Sequence, residues 1–303
     1  MSGVFDLSLV DCDIGSEVAM YTLSRCDVQS RVLTFLGNGR TNRALTAVRD
    51  DPADLIQSSI AGNTERLAVS ILQGASVENR RPKGFFHWRA PFEMHAQNRV
   101  IVGGFGKTHG SRHADVSAAD APAWFFKGTD AQLLLNGEAI KGVGRAAQIC
   151  EEAEIILVYS TDGSGVAQYV GFMFGNDVTD IVTARGQPSK LGRAKLYPTP
   201  VHPELFLGPP PARVTGRVSC YRDGQLMGDF HVETGTDELV WPVEELIMGL
   251  LSNAPMAVPG TIHMIFMGCP MNSYDKGIPL APKDEVVIEF PDYDVRISNT
   301  LEA

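Results

Sequence analysis

Three carboxylates lie next to two apolar stretches of the chain. Glu152 and Glu154 stand two residues apart at the start of EEAEIILVY, and Asp177 ends the apolar run of GFMFGNDVTD, 23 residues after Glu154. On a strand, side chains at i and i+2 share a face, so two like charges would lie side by side. Burying them without a partner would cost several kcal/mol or force protonation. That face is therefore either exposed to solvent or shared with a cation.

A hairpin return between the two stretches would bring Asp177 beside Glu154. Three oxygen ligands, completed by water and substrate, suit Mg²⁺, Mn²⁺ or Ca²⁺. The spacing alone favours the simpler interpretation, solvated acids at strand ends, because the E-x-E pattern is common.

The composition excludes several classes of protein. The 303 residues carry a net charge of −10, which disfavours non-specific binding to nucleic acid. The five cysteines form no CxxC pair and are odd in number, so zinc fingers and a disulfide framework are disfavoured. We expect reduced thiols and a cytoplasmic protein, because the sequence has neither a signal-peptide pattern nor an apolar run long enough to span a bilayer.

The elements that must position the carboxylates are short strands. From Val100 onward, brief apolar runs alternate with Gly, Asn-Gly and Asp-Gly turn signals, and one helix, PVEELIMGLLSN, interrupts them. The earlier part mixes strand-like SEVAMYTL and SRVLTFLG with helical DDPADLIQSSI and NTERLAVSILQG. We predict an α+β, mainly β protein, with an N-terminal α/β domain and connecting arm over 1–97 and a catalytic domain over 98–303.

Several segments, in order, resemble a known family. They are WFFKG, EEAEI, GFMFGNDVTD, RAKLYPTPVHPELFLGPP, IHMIFMGCP and PLAPKDEVVIEF. Together they resemble the fumarylacetoacetate hydrolase superfamily, and within it the 2-keto-3-deoxy-sugar-acid dehydratases of the L-2-keto-3-deoxyarabonate type. The resemblance covers about Val100 to Ser298 and implies a mixed β-roll or barrel catalytic domain. It also implies a homodimer.

This resemblance reverses the interpretation of the acids. It implies that Glu152, Glu154 and Asp177 bind Mg²⁺ or a similar divalent ion, which chelates a small-molecule 2-oxo acid. Such an ion makes the C3 proton of the substrate acidic and stabilises the enolate. The dehydratases often have Glu where this chain has Asp177, so the subfamily is less firmly indicated than the superfamily.

Two lysines match family positions near the substrate. Lys127 lies in FFKG and Lys195 in RAKLYPTP, and either could neutralise a carboxylate or the enolate oxygen. We predict Lys127 to be catalytic and Lys195 to bind substrate; the alternative for each is an ordinary surface lysine.

The base is sought in a glycine-rich segment, GGFGKTHGSRHADVSAAD. Thr108 and His109 resemble a Thr-His segment of the dehydratases, whereas His113 with Asp115 resembles the His/acid dyad of the hydrolases, displaced by about one residue. Both histidines are predicted catalytic residues, with a lid contact or a structural hydrogen bond as the alternative for each, and Thr108 is a predicted substrate-binding residue.

Two further residues are predicted to contact substrate. Asp180 follows Thr179 in NDVTDIVTARGQ, as an Asp follows Ser/Thr in the dehydratase form. Cys269 stands in Gly268-Cys269-Pro270, where family members have Gly-Thr-Pro or Gly-Thr-Ala, so the usual hydroxyl is missing. A changed substrate explains this better than a catalytic thiol, because no base is identified beside Cys269.

The expected function is dehydration of a 2-keto-3-deoxy sugar acid by a metal-dependent lyase. The alternatives on the same metal are a C–C hydrolase of the acylpyruvate type and a 2-oxo-acid decarboxylase or tautomerase, because one enolate leads to several products. A diverged, non-catalytic binding protein is the alternative of a different class. No nucleic acid or membrane partner is expected.

Overall fold

The structure is a computed structural model that describes residues 20–28, 31–38, 44–48, 87–90, 92, 99–109 and 122–303. Within these residues strands dominate and helices are few, so the predicted mainly β class is confirmed. The strands are β1 (Tyr21–Val28), β2 (Arg31–Asn38), β3 (Ala44–Val48), β4 (His87–Arg89), β5 (Arg99–Phe105), β6 (Trp124–Gly128), β7 (Leu133–Leu134), β8 (Ile149–Cys150), β9 (Ala153–Thr161), β10 (Ala167–Asn176), β11 (Thr179–Asp180), β12 (Thr199–Pro200), β13 (Leu205–Leu207), β14 (Val214–Arg222), β15 (Gln225–Thr234), β16 (Thr261–Phe266), β17 (Glu285–Phe290) and β18 (Val295–Thr300).

Three α-helices lie in the described part of the chain. They are α1 (Ile181–Gly186), α2 (Leu191–Ala194) and α3 (Val243–Leu251), of which α3 occupies the predicted PVEELIMGLLSN segment. The two helices predicted from DDPADLIQSSI and NTERLAVSILQG lie outside the described residues. No described helix is both long and apolar enough to cross a membrane.

One large sheet carries the architecture. Its described strands follow the order β3-β2-β1-β13-β10-β9-β16-β5-β6, and β4 also pairs with β1. Strand β1 therefore links the N-terminal strands to the later ones through its antiparallel pairing with β13. The predicted boundary between 97 and 98 stays a prediction, since N-terminal and C-terminal strands share this sheet.

The sheet is buried on both faces at its centre, which explains why β9 is almost continuously apolar. Ile155 and Leu157 belong to one hydrophobic cluster, whereas Ile156 and Val158 belong to the cluster on the opposite face. Successive side chains of a strand point to opposite faces, so a run without alternation is expected for a strand covered twice.

A second, antiparallel sheet packs against the first. Its order is β15-β14-β17-β18. Phe174 on β10 stacks on Phe290 at the end of β17, with ring centroids 4.3 Å apart, and Tyr293 lies edge-on to Phe172 at 5.6 Å. These aromatic contacts fix the two sheets to each other beside the strand that leads to Asp177.

The β9–β10 hairpin brings the ends of both strands together. Glu154 pairs with Gly175 in the antiparallel ladder, and the Asp177 N–H donates to the Glu152 carbonyl at 2.9 Å. Beyond this point β8 and β11 form a two-residue ladder, with Thr179 opposite Cys150. The hairpin that the sequence predicts thus brings Glu152, Glu154 and Asp177 together.

Candidate metal centre and active site

Glu152, Glu154 and Asp177 form one cluster. Carboxylate oxygens from the three residues lie within 4.8 Å of one another. Glu154 and Asp177 are buried, and the Glu152 side chain is only 13% exposed. The alternative of solvated acids at strand ends does not describe these side chains.

Lys195 lies between two of the carboxylates. Its Nζ donates to Glu152 Oε2 and to Asp177 Oδ2, the latter at 2.5 Å, and it also lies 4.7 Å from the centre of the Phe125 ring. Burial alone would lower the pKa of the Lys195 ammonium, but the facing Asp177 and Glu152 raise it above its ordinary value. Lys195 therefore stays charged and is no surface lysine.

Lys127 lies behind Asp177 and is fully buried. Its Nζ is 2.7 Å from Asp177 Oδ1 and donates to the carbonyls of Val178 and Lys195 at 2.9 and 3.0 Å. The ammonium thus forms two hydrogen bonds to carbonyls and one ion pair with Asp177. Lys127 thus orients Asp177 and ties it to the chain at Lys195.

The charge of the cluster is unbalanced. Three carboxylates and two ammonium groups leave one net negative charge when all are ionised. Burial raises the pKa of Glu154 well above its ordinary value, and the neighbouring Asp177 adds to the effect. Burial also acts to raise the pKa of Asp177, but Lys127 and Lys195 lower it below its ordinary value. Lys195 acts to lower the pKa of Glu154, but among the described residues Glu154 forms no direct ion pair, unlike Glu152 and Asp177.

Glu154 accepts a hydrogen bond from the loop after β16. The Gly268 N–H donates to Glu154 Oε2 at 2.6 Å. Gly268 has φ 88°, and a Cβ there would lie 2.0 Å from Thr108 Oγ1, so both conformation and space require glycine. Thr108 in turn donates to the Met267 carbonyl at 2.5 Å. Thr108 thus supports the loop that contacts Glu154.

His109 follows Thr108 and is held by hydroxyl groups. Its Nδ1 lies 3.1 Å from Thr108 Oγ1, and its Nε2 lies 3.1 Å from Thr234 Oγ1. Burial lowers the pKa of His109 to about 4, so the imidazole is neutral near pH 7. Neither contact involves a carboxylate. The other predicted base, His113, and its partner Asp115 lie outside the described residues.

Cys269 lies beside the cluster as a neutral thiol. Its Sγ donates to the Met271 carbonyl at 2.7 Å. Burial raises the pKa of Cys269 well above its ordinary value, and Glu152 and Glu154 add to the effect. A thiol nucleophile requires a depressed pKa, so these surroundings oppose that role.

Asp180 caps a helix and does not belong to the cluster of three carboxylates. It caps α1, accepting from the Thr183 N–H and Oγ1 at 3.2 and 2.7 Å, and it accepts from the N–H groups of Ala147 and Gln148 at 3.2 and 3.4 Å. Burial would raise its pKa, but the hydrogen bonds from Thr183 and the backbone lower it. These four donors engage the carboxylate that the sequence assigned to substrate.

Glu152 is also surrounded by polar residues that were not predicted from the sequence. Thr179 Oγ1 donates to Glu152 Oε2 at 3.0 Å, and Asn272 Nδ2 lies 3.4 Å from Oε1. Asn176 Oδ1 accepts from the Glu152 N–H at 3.1 Å. Thr179 lies two residues after Asp177, and this nearness is a usable signal, whereas Asn272 lies 120 residues from Glu152 and no local pattern indicates it.

The donor set fits a hard divalent cation. Carboxylate oxygens are the ligands that Mg²⁺, Mn²⁺ and Ca²⁺ prefer, and the cluster offers one from each of three residues at short separation. The net negative charge points the same way. A soft metal is disfavoured because the three residues of the cluster offer only carboxylate oxygens.

The sequence as such matches no protein-family model and no curated protein. Solved structures match it by fold. A structure of 2-keto-3-deoxyarabinonate dehydratase is 17% identical with a TM-score of 0.67, covering 93% of this chain and 98% of that chain. A structure of 2-keto-3-deoxy-D-arabinonate dehydratase complexed with magnesium and 2,5-dioxopentanoate is 18% identical with a TM-score of 0.62, at 93% and 98% coverage.

A third match has another activity in its name. The fumarylacetoacetate hydrolase from the psychrophilic Exiguobacterium antarcticum is 15% identical with a TM-score of 0.63, covering 93% of this chain and 99% of that chain. At these identities the comparison establishes architecture and leaves the reaction open. The chain has the fold of the fumarylacetoacetate hydrolase superfamily.

Proposed function

We propose that this protein is a divalent-metal-dependent enzyme of 2-oxo acids, and that it dehydrates a 2-keto-3-deoxy sugar acid. The observation that carries the proposal is the buried cluster of Glu152, Glu154 and Asp177, whose oxygens lie within 4.8 Å of one another. Purely structural burial of three acids beside only two ammonium groups would be unfavourable.

The charges suit a cation and an anionic substrate together. A divalent ion changes the net charge of the cluster from −1 to +1, and the carboxylate of a 2-oxo acid then brings it to zero. Charges attract each other more strongly in the low dielectric of a buried site than in water, so neutralising the cluster stabilises the complex. A neutral substrate would leave one positive charge buried.

Glu152, Glu154 and Asp177 would hold the ion, with Mg²⁺ the first choice and Mn²⁺ or Ca²⁺ the alternatives. A bound divalent ion would polarise the 2-oxo group and acidify the neighbouring C–H. Lys127 keeps Asp177 oriented, because two carbonyls fix its ammonium beside that carboxylate. Lys195 is charged and lies among the carboxylates, where it can also face the carboxylate of a substrate.

Proton transfer is assigned to the segment that begins at His109. A neutral imidazole can accept a proton, and burial keeps His109 neutral. Its contacts among the described residues are the hydroxyls of Thr108 and Thr234. The spacing of His113 and Asp115, displaced by about one residue from the hydrolase dyad, favours the lyase over the C–C hydrolase. His113 remains a predicted alternative base.

A substrate panel tests the reaction. The protein, loaded with Mg²⁺, is offered 2-keto-3-deoxy sugar acids and acylpyruvates, and the products are scored by mass spectrometry for loss of water against C–C cleavage. We expect loss of water from a sugar acid that stops when the metal is chelated. Turnover of acylpyruvates alone would replace the lyase by the hydrolase.

A pair of adjacent variants tests the metal site independently of turnover. Glu154→Gln keeps the shape and removes the charge, and it should weaken Mg²⁺ binding in calorimetry by about tenfold or more, roughly 1.4 kcal/mol. Glu151→Gln is the matched control, because Glu151 is equally buried but accepts from the Ser273 N–H at 2.7 Å outside the cluster. Equal Mg²⁺ affinity in wild type and Glu154→Gln would contradict the assignment.

We also propose a cytoplasmic homodimer. Trp124 and Phe126 are 37% and 42% exposed on the same face of β6, the last strand of the described sheet. Large exposed aromatic side chains are enriched at protein interfaces. Light scattering should give twice the chain mass, and Phe126→Glu should shift the protein towards monomer.

A further inference from the structure

A cavity separate from the carboxylate cluster lies between the 141–147 loop and the segment that contains α1 and α2. Its volume is about 590 Å³, within the range of small-molecule sites. Four basic residues line it: Lys141, Arg145, Lys190 and Arg193. All four are exposed, and their charge is opposite in sign to the protein's net charge of −10.

The four cations have no paired acid in the part of the chain that the structure describes. Among the described residues none of them forms an ion pair, whereas Arg185, Arg213, Arg217, Arg222 and Arg296 all do. The one carboxylate in the lining is Asp180, and its oxygens accept from Thr183, Ala147 and Gln148. Like charges gathered around one cavity repel, so the arrangement favours an anion.

Tyr197 adds a neutral donor to the same wall. Burial raises the pKa of its hydroxyl and Asp180 adds to the effect, although Arg145 and Arg193 act in the opposite direction. Arg145, Arg193 and Tyr197 all line this cavity. Two guanidinium forks and a hydroxyl are the donors that bind the oxygens of a phosphate group.

The cavity faces away from the metal cluster. Thr179 and Asp180 are successive residues of β11, whose side chains point to opposite faces. Thr179 donates to Glu152 in the cluster, whereas Asp180 lines the cavity. Arg193 and Lys195 also face different sites. Lys195 contacts two carboxylates of the cluster, whereas Arg193 lines the cavity.

We propose that this cavity binds a small phosphate-bearing molecule through Lys141, Arg145, Lys190 and Arg193, at a site distinct from that of the 2-oxo acid. A phosphate dianion or a diphosphate matches the four positive charges better than a single carboxylate does. An occupant would connect the 141–147 loop to α2, which leads directly into Lys195.

Pyrophosphate is the probe, titrated into the full-length protein in metal-free buffer at fixed ionic strength. We expect saturable binding in calorimetry and hydrogen-exchange protection confined to 141–147 and 190–197. Absence of binding at concentrations up to about 10 mM, corresponding to affinity weaker than about 3 kcal/mol, would overturn the proposal. Protection elsewhere would overturn it as well.

Two double variants distinguish binding in this cavity from non-specific attraction of the probe to positive charge. Arg145→Gln with Arg193→Gln should weaken binding at least about tenfold. The control, Arg217→Gln with Arg296→Gln, removes the same charge from exposed arginines of the second sheet and should leave the affinity unchanged. Equal weakening in both would overturn the proposal, because it would mean that only net charge matters.

The metal site is distinguished by one further variant. Glu154→Gln should bind pyrophosphate as the wild type does, whatever its effect on Mg²⁺. Binding that is changed in Glu154→Gln and unchanged in the Arg145 and Arg193 variant would place the probe in the carboxylate cluster and overturn the proposal. The proposed enzyme activity does not enter this test.

Discussion

Replacing Lys195 by methionine separates the two roles that its position allows. The substitution keeps most of the apolar stem and removes the ammonium that contacts Glu152 and Asp177. The carboxylate cluster then has a net charge of −2 rather than −1, with only Lys127 remaining. We expect the metal-free variant to be less stable than the wild type, and to gain more from Mg²⁺.

The size of the loss follows from burial. Removing one partner of a buried ion pair costs about 3–5 kcal/mol. The lower end applies here, because the Glu152 side chain is 13% exposed and Asp177 keeps its contact with Lys127. A loss of about 3 kcal/mol corresponds to a decrease in Tm of about 5 °C, because the unfolding entropy grows with chain length.

The affinity for Mg²⁺ should rise in the same variant. In the wild type the ammonium competes for oxygens of Glu152 and Asp177, and its charge repels a divalent ion. We expect Lys195→Met to bind Mg²⁺ at least about tenfold more tightly, which adds roughly 1.4 kcal/mol to the stabilisation at a given Mg²⁺ concentration.

The assay is thermal unfolding across a Mg²⁺ titration, with affinity checked by calorimetry. Lys276→Met is the control, because Lys276 is exposed and its described side-chain contact is with the Phe230 ring at 5.9 Å. Two results would refute the reasoning. One is a metal-free Lys195→Met as stable as the wild type, and the other is a Mg²⁺ affinity that the variant leaves unchanged or weakens.

Three further predictions concern stability. Burial lowers the pKa of His263 to about 4, so the stability contributed by its neutral imidazole is complete above pH 6.5 and is lost as the pH falls towards 4. In denaturant unfolding, the free energy of unfolding of His263→Gln should therefore fall less steeply than that of the wild type between pH 6.5 and 4. Equal pH dependence in the two proteins would contradict this. Phe290→Ala should lower the free energy of unfolding by about 3–5 kcal/mol, because Phe290 is buried and stacked on Phe174, and a change below about 1 kcal/mol would refute the packing argument. Gly268→Ala should destabilise by about 2 kcal/mol and weaken Mg²⁺ binding, because a Cβ would meet Thr108 Oγ1; chemical unfolding and calorimetry test both, and wild-type values would be inconsistent with the strained loop.

Local patterns indicated the strands and one helix. The turn signals and short apolar runs after Val100 led to a mainly β fold, and PVEELIMGLLSN led to α3, since these features depend on neighbours in sequence. The hairpin that joins Glu154 to Asp177 was predictable for the same reason, because 23 residues allow one return of the chain. The resemblance of ordered segments then indicated the superfamily fold.

The roles of individual side chains were decided by the tertiary structure. Lys127 and Lys195 look alike in sequence, yet two carbonyls and one carboxylate hold the first, whereas two carboxylates flank the second. Asp180 lies three residues from Asp177 and serves a helix cap on the other face. Such differences depend on direction and burial, which spacing does not specify.

The sequence by itself determined that acids stand at the ends of two apolar strands in a mainly β chain. Only the tertiary structure decided that they converge in a buried space with less positive than negative charge. It also brought Lys141 and Arg145 to the same cavity as Lys190 and Arg193, across more than forty residues of chain. The physical reason is that charge balance is a property of neighbours in space, and the sheet pairing chooses those neighbours.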